Sequence, residues 1–124
     1  MNYLAWFELG RTELMRANGV SYAGLEDEGI LLPVARAELD YRQGAGYDER
    51  VWILSRVKQV RSRTVTFAYE ARRVDDEALL ARGSTTLVCT DSDLRLRRIP
   101  DEAQQMLEQL RSAAEADSSG SGVP

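Results

Sequence analysis

NYLAWFELGRTELMRAN, residues 2–18, decides the fold of this chain. Tyr3, Phe7, Gly10, Leu14 and Ala17 recur at helical spacing on one face, and Trp6 widens that stripe. Glu8, Arg11, Thr12, Glu13 and Arg16 take much of the remaining surface. The segment therefore reads as one amphipathic helix with an apolar face to bury. Gly10, in the middle of that face, is a poor helix former, costing roughly 1 kcal/mol against Ala. Its use is close approach to another backbone. Asn18 and Gly19 end the helix, with Gly19 suited to the left-handed position just past the last turn.

Outward from the helix, the composition narrows the chemistry. The chain has 124 residues, one cysteine and no histidine, and a net charge of −4. That length fits one domain able to bury a core without disulfides. An intrachain disulfide, a Cys/His zinc site and any Ser–His or Cys–His nucleophile are excluded. A general base must be a carboxylate, a lysine or a tyrosine. The acidic balance argues against nucleic acid as the main partner. No apolar run approaches the ~20 residues of a membrane span, and no signal peptide is visible. We expect a soluble, cytoplasmic protein without membrane contact.

Residues 21–29 read as a short helical turn or a loop, closed by Gly29, with Ser21 as its candidate cap. Glu26, Asp27 and Glu28 in it read as a solvated acidic turn, a metal site being the alternative; we assign no metal. Residues 30–41 form a first strand, with Ala35, Ala37, Leu39 and Tyr41 on a buried side and Arg36, Glu38 and Asp40 opposite. Residues 49–60 form a second strand, apolar on both faces from Val51 to Leu54 and so expected to be covered twice. Residues 61–63 connect it tightly to a third strand, 64–73, in a long antiparallel hairpin. Residues 79–90 are the last strand. Ile99 and Pro100 lead into a C-terminal helix with Met106, Leu107 and Leu110 as its stripe, and Asp101 and Glu102 at its positive end. There is no internal repeat. We expect one domain over 1–116 and a flexible tail over 117–124. The class is α+β: a long helix packed on one curved antiparallel sheet, whose edges suit pairing into a dimer.

These residues resemble a known family. The helix fits N-Y-x-x-x-F/W-E-x-x-R-T/x-E through Asn2, Tyr3, Phe7, Glu8, Arg11 and Glu13. Later runs, LDY…YDE, V…V…RS…TF.YE, LLARGSTTLVCTD and LRRIP, follow in the family's order. The resemblance, over about residues 2–110, is to the hotdog-fold acyl-CoA thioesterases of the 4-hydroxybenzoyl-CoA thioesterase type. It implies a central helix wrapped by the sheet, hydrolysis of an acyl-CoA to free acid and CoA without a separate cofactor, and a homodimer or homotetramer. A non-catalytic subunit that binds CoA or acyl groups, or serves only in assembly, is the alternative. The family's preceding strand and D-x-D-x-x-G-x-V-Y-H-x-x-Y loop, with its catalytic aspartate, do not occur here, since Met1 falls two residues before the closing tyrosine. Either the start is placed too far downstream, or the chain is truncated, or the protein is shortened. Without that strand we expect apolar surface to be left open around Trp6 or Leu4. Gly44 also stands where the family often has proline.

The resemblance implies that branches without the aspartate work through the helix, at Tyr3 and Arg11. These lie about two turns apart and meet on one substrate only if it runs along the helix. Glu8 is either an ion-pair partner of Arg11 or a catalytic carboxylate. Tyr3 is either a core aromatic or a site residue. The same resemblance places the CoA phosphates near Arg61, Ser62 and Arg63, where guanidinium forks suit phosphate oxygens; a solvated basic turn is the other reading. Cys89 reads as a buried strand residue. Arg95, Arg97 and Arg98 are a second basic cluster, read as surface, with CoA contact as the alternative.

Overall fold

The computed structural model describes residues 3–44, 46 and 49–121, with side chains to residue 115. Three helices, α1 (Tyr3–Ala17), α2 (Tyr22–Asp27) and α3 (Asp101–Ser121), flank four strands: β1 (Val34–Tyr41), β2 (Val51–Val60), β3 (Thr64–Arg73) and β4 (Leu79–Val88). All strand pairs are antiparallel, in the order β1-β4-β3-β2.

Local signals set the element ends. Gly19 takes a φ of 89°, and Val20 N–H and Gly19 N–H donate to Met15 O and Arg16 O at 3.0 and 3.1 Å, closing α1 as expected. Ser21 caps α2 by accepting from Gly24 N–H at 3.0 Å. Gly29, at φ 77°, closes α2 the way Gly19 closes α1. Three strands are shorter than their patterns, β2 by starting at Val51 rather than at residue 49. Leu31 makes only an isolated bridge to Thr90, so β1 starts at Val34, just past Pro33, and β4 stops at Val88. In α3 the backbone stays helical to Ser121, beyond residue 116; residues 122–124 lie outside the described range.

The core forms where α1 crosses β2 and β3. Phe7 stacks on Tyr69 with ring centroids 4.7 Å apart and planes 5° from parallel. Val65, Phe67, Tyr69 and Ala71 are the buried face of β3, alternating with half-buried residues as the period of two demands. Gly10 allows the contact. A Cβ there would collide with Ser55 Oγ and lie 3.1 Å from Ile53 Cγ2 on β2. A Cβ on Gly83 would meet Phe7 and the backbone oxygen of Glu38, each at 2.8 Å. On α1 itself the buried positions are Tyr3, Phe7, Arg11 and Met15. They advance by four each, so Arg11 and Met15 turn inward where the sequence pattern pointed to Leu14 and Ala17. α3 buries Ala103 and Leu107, and Gln104 Nε2 donates to Arg61 O at 3.1 Å, fixing the helix to the β2–β3 turn.

Two burial expectations fail, for one reason. Every residue of β1 is exposed, Leu39 at 42% and Tyr41 at 59%. Trp52 and Leu54 of β2 are exposed at 45% and 43%. A helix about 10 Å wide covers roughly two strands spaced ~4.8 Å apart. α1 lies mainly on β2 and β3 and reaches β1 through Tyr3 against Tyr41, ring centroids 6.0 Å apart, which leaves the rest of edge strand β1 uncovered, and the side of the sheet facing away from α1 carries Trp52 and Leu54. Leu4 is likewise exposed at 42%, as expected, whereas Trp6 is half-buried.

Candidate functional site

The second and third turns of α1 carry Glu8 on the exposed side and Arg11 on the buried side, the latter 6% exposed. The chain reverses at Gly19, and α2 brings Tyr22 back against the helix. Arg11 Nε donates to the Tyr22 hydroxyl at 3.1 Å. Behind Arg11, the Tyr69 hydroxyl sits 2.5 Å from Thr85 Oγ1, so a string of polar groups runs through an otherwise apolar core. Burial works against the charge on Arg11, but the phenol oxygens of Tyr69 and Tyr22 outweigh it and hold its pKa above the ordinary arginine value. Burial raises the Tyr22 pKa, with Arg11 opposing.

A cavity of about 300 Å³ opens beside these groups. Arg11, Tyr22, Glu8 and Glu26 supply its polar lining, and Leu25, the 30–33 segment and Leu94 its apolar walls. Leu94 holds a φ of 63°, a left-handed conformation uncommon for a leucine, in a turn tied by Asp91 Oδ1 to the N–H groups of Asp93 and Arg95.

The residues singled out in the sequence separate in space. Glu8 and Arg11 line one cavity without pairing: no carboxylate stands within ion-pair distance of Arg11 among the described residues. Tyr3 is elsewhere, buried among aromatic rings, with its hydroxyl donating to Gln43 O at 3.2 Å. The Arg61–Ser62–Arg63 turn docks its neighbours through its backbone. Arg61 O accepts from Gln104, Ser62 O from Ile99 N–H at 2.8 Å, and Arg63 O from Cys89 N–H at 2.8 Å. The Arg61 and Arg63 side chains are exposed. Cys89 O accepts from Arg97 N–H, which brings Arg97 and Arg98 to the same end of the sheet as this turn. Cys89 is buried, and burial pushes its thiol pKa up, against a weaker opposing pull from Arg97, so it is a poor nucleophile. Glu26, Asp27 and Glu28 are exposed at the end of α2. Tyr22 and Tyr69 escaped the sequence reading. The only signal for Tyr22 was its place directly after a capping serine, one turn past the reversal at Gly19.

Fold and site together define a class. The profile of the thioesterase-like superfamily matches residues 1–110, and the chain belongs to that superfamily. Its fold is the hotdog, with a helix embraced by a curved antiparallel sheet. The protein TT1821 of Thermus thermophilus, described as hypothetical, superposes with a TM-score of 0.80 at 30% identity, over 87% of this chain and 81% of its own. The DHNA-CoA thioesterase from Staphylococcus aureus superposes with a TM-score of 0.80 at 27% identity, over 96% of this chain and 80% of its own. The acyl-CoA thioesterase YbgC of Haemophilus influenzae is 28% identical over 90 residues, covering 72% of this chain and 65% of that protein, so the chain spans less than two thirds of that relative. No helix among the described residues is long and apolar enough to cross a membrane.

Proposed function

We propose that this chain hydrolyses an acyl-CoA thioester to the free acid and CoA. What carries the reading is the superfamily match over residues 1–110, which runs through the helix bearing Glu8 and Arg11. In this reading Glu8 takes a proton from water as the water oxygen attacks the thioester carbon. The C–S bond then breaks and the sulfur of CoA leaves, regaining a proton. Arg11 and Tyr22 hold the acyl group in the cavity below Glu8. Tyr3, with its hydroxyl spent on Gln43, keeps the start of the helix in place. No cofactor is required beyond CoA as part of the substrate.

The CoA phosphates fall to Arg61, Ser62 and Arg63, helped by Arg97 and Arg98. Pro33 O accepts from Val88 N–H and Arg63 O from Cys89 N–H, so β4 alone separates the cavity's segment from this turn, a distance of roughly 10 Å. Two copies pair through β1, the bare edge of the sheet, whose helix side offers Leu39 and Tyr41. A single buried thiol and the absence of any disulfide partner suit the cytoplasm.

The test is release of free thiol from a panel of acyl-CoAs, with Glu8→Gln beside the unaltered chain. Glu8→Gln should lower kcat by about 10²-fold or more with an unchanged circular dichroism spectrum. No thiol release from any member would overturn the reading, and full activity in Glu8→Gln would remove Glu8 from it.

A further inference from the structure

We propose that the cavity beside Arg11 is a carboxylate-recognition pocket: it receives a free carboxylate at the far end of the acyl group, so the favoured substrates are mono-thioesters of short dicarboxylic acids. This rests on the thioesterase reading and names its substrate class.

The first observation is a buried cation without an anion. Arg11 is 6% exposed, its partners are neutral hydroxyls, and no carboxylate pairs with it among the described residues. Buried charges are ordinarily paired, because an unpaired one loses its hydration with no return. Here the guanidinium also lines a cavity open to a ligand. The second observation is donor geometry. Arg11 Nε is taken by the oxygen of Tyr22 and the Tyr69 hydroxyl also accepts from the guanidinium, which leaves the Tyr22 O–H proton and the remaining guanidinium N–H groups for two oxygens of one carboxylate. The third is size and lining. At about 300 Å³ the cavity is at the small end of ligand pockets, and Leu25, Ile30, Leu31 and Leu94 suit a few methylenes between thioester and carboxylate.

Glu8 and Glu26 also line the cavity, and both oppose an anion. Both are exposed, so water and salt screen them, while Arg11 acts from a low-dielectric floor where its attraction is stronger.

The experiment compares succinyl-CoA with butyryl-CoA, equal in chain length and different in the terminal carboxylate, by thiol release. Calorimetric titration with free succinate and free butyrate runs alongside. The expected result is a kcat/KM ratio of at least 10 in favour of succinyl-CoA, and heat of binding from succinate alone. Arg11→Gln should bring the ratio to about 1 or below. Tyr22→Phe, which keeps the ring and loses only the hydroxyl, should reduce it several-fold and decides the matter if Arg11→Gln does not fold. Equal use of both thioesters, or a preference that survives these substitutions, overturns the proposal and makes Arg11 a structural arginine only. If neither thioester is cleaved while another acyl-CoA of the panel is, the proposal falls and the thioesterase reading stands; if no acyl-CoA is cleaved, the thioesterase reading fails by itself, and selective succinate binding lost in Tyr22→Phe still supports the pocket.

Discussion

At Gly10 α1 approaches β2 too closely for a Cβ, and its neighbour Ser55 carries the single buried side-chain oxygen without a hydrogen-bond partner among the described residues. Two effects compete on replacing Gly10 by Ala. Helix propensity gains about 1 kcal/mol, and the new methyl overpacks against Ser55 Oγ and Ile53, at a typical cost of about 1–3 kcal/mol. We expect Gly10→Ala to be destabilising by about 1 kcal/mol in urea unfolding. Ser55→Ala removes an oxygen that has no partner and should be close to neutral. In the double variant the collision with Ser55 Oγ is relieved, leaving Ser55 Cβ at an ordinary 3.6 Å and Ile53 Cγ2 at a tight 3.1 Å, so much of the propensity gain shows through. The pair should therefore be coupled by about 1 kcal/mol or more, and additive effects would contradict this packing. The need for a glycine here was legible in the sequence, because glycine on an apolar helix face has few other uses. The burial of Arg11 was not. A charge at that position reads as surface until the phenols of Tyr22 and Tyr69, distant in sequence, are known to surround it.

The hairpin elements show charge acting between strands. Arg73 at the end of β3 donates to Glu49, just before β2, and to Asp76 in the following turn, at 2.9 Å each. The Gly46 backbone N–H and then Arg73 hold Glu49 below the ordinary carboxylate value. The Ala78 backbone N–H does the same for Asp76, again with Arg73 assisting. Folded values below the unfolded ones mean that the unfolded chain binds more protons as pH falls. The stabilisation is complete above the unfolded carboxylate value of about 4 and is lost as pH drops through the lower folded values. Thermal melts should give a Tm that is level above about pH 5 and declines below about pH 4. Arg73→Gln should make that decline shallower, and an unchanged acid limb would remove these pairs from the account. At this scale the sequence was most informative. Helix ends at Gly19 and Gly29, the cap at Ser21 and the tight turn at 61–63 all rest on contacts between near neighbours, and all are where the residues placed them.

For the whole molecule the open surfaces matter most. β1 is an unpaired edge with apolar residues on the helix side, and such edges invite pairing with a second chain. Sedimentation equilibrium should give twice the 13.9 kDa of one chain. Leu39→Lys, tolerated in a lone chain because Leu39 is already 42% exposed, should shift the mass to that of one chain without loss of helical signal. A mass unaffected by Leu39→Lys would place the contact elsewhere. Trp52 and Leu54 on the opposite face of the sheet are a second open apolar surface.

By itself the sequence determined the elements, their antiparallel pairing, the face that α1 buries at Tyr3 and Phe7, and the superfamily. The elements, their pairing and that face follow from periodicity and turn chemistry, which act over a few residues; the superfamily follows from the resemblance of the motifs. Only the tertiary structure decided that β1 pairs with β4 rather than with β2, and which alternating faces are covered. Alternation marks two sides of a strand without saying which neighbour, in this chain or another, will cover either. It also decided the site. Glu8, Arg11 and Tyr22 meet because α2 folds back on α1, while Tyr3, on the same helix and in the same motif, is drawn to Gln43 instead. Side chains two turns apart on a rigid helix are held apart by it, and the partners each one finds come from whatever strand or loop packs there.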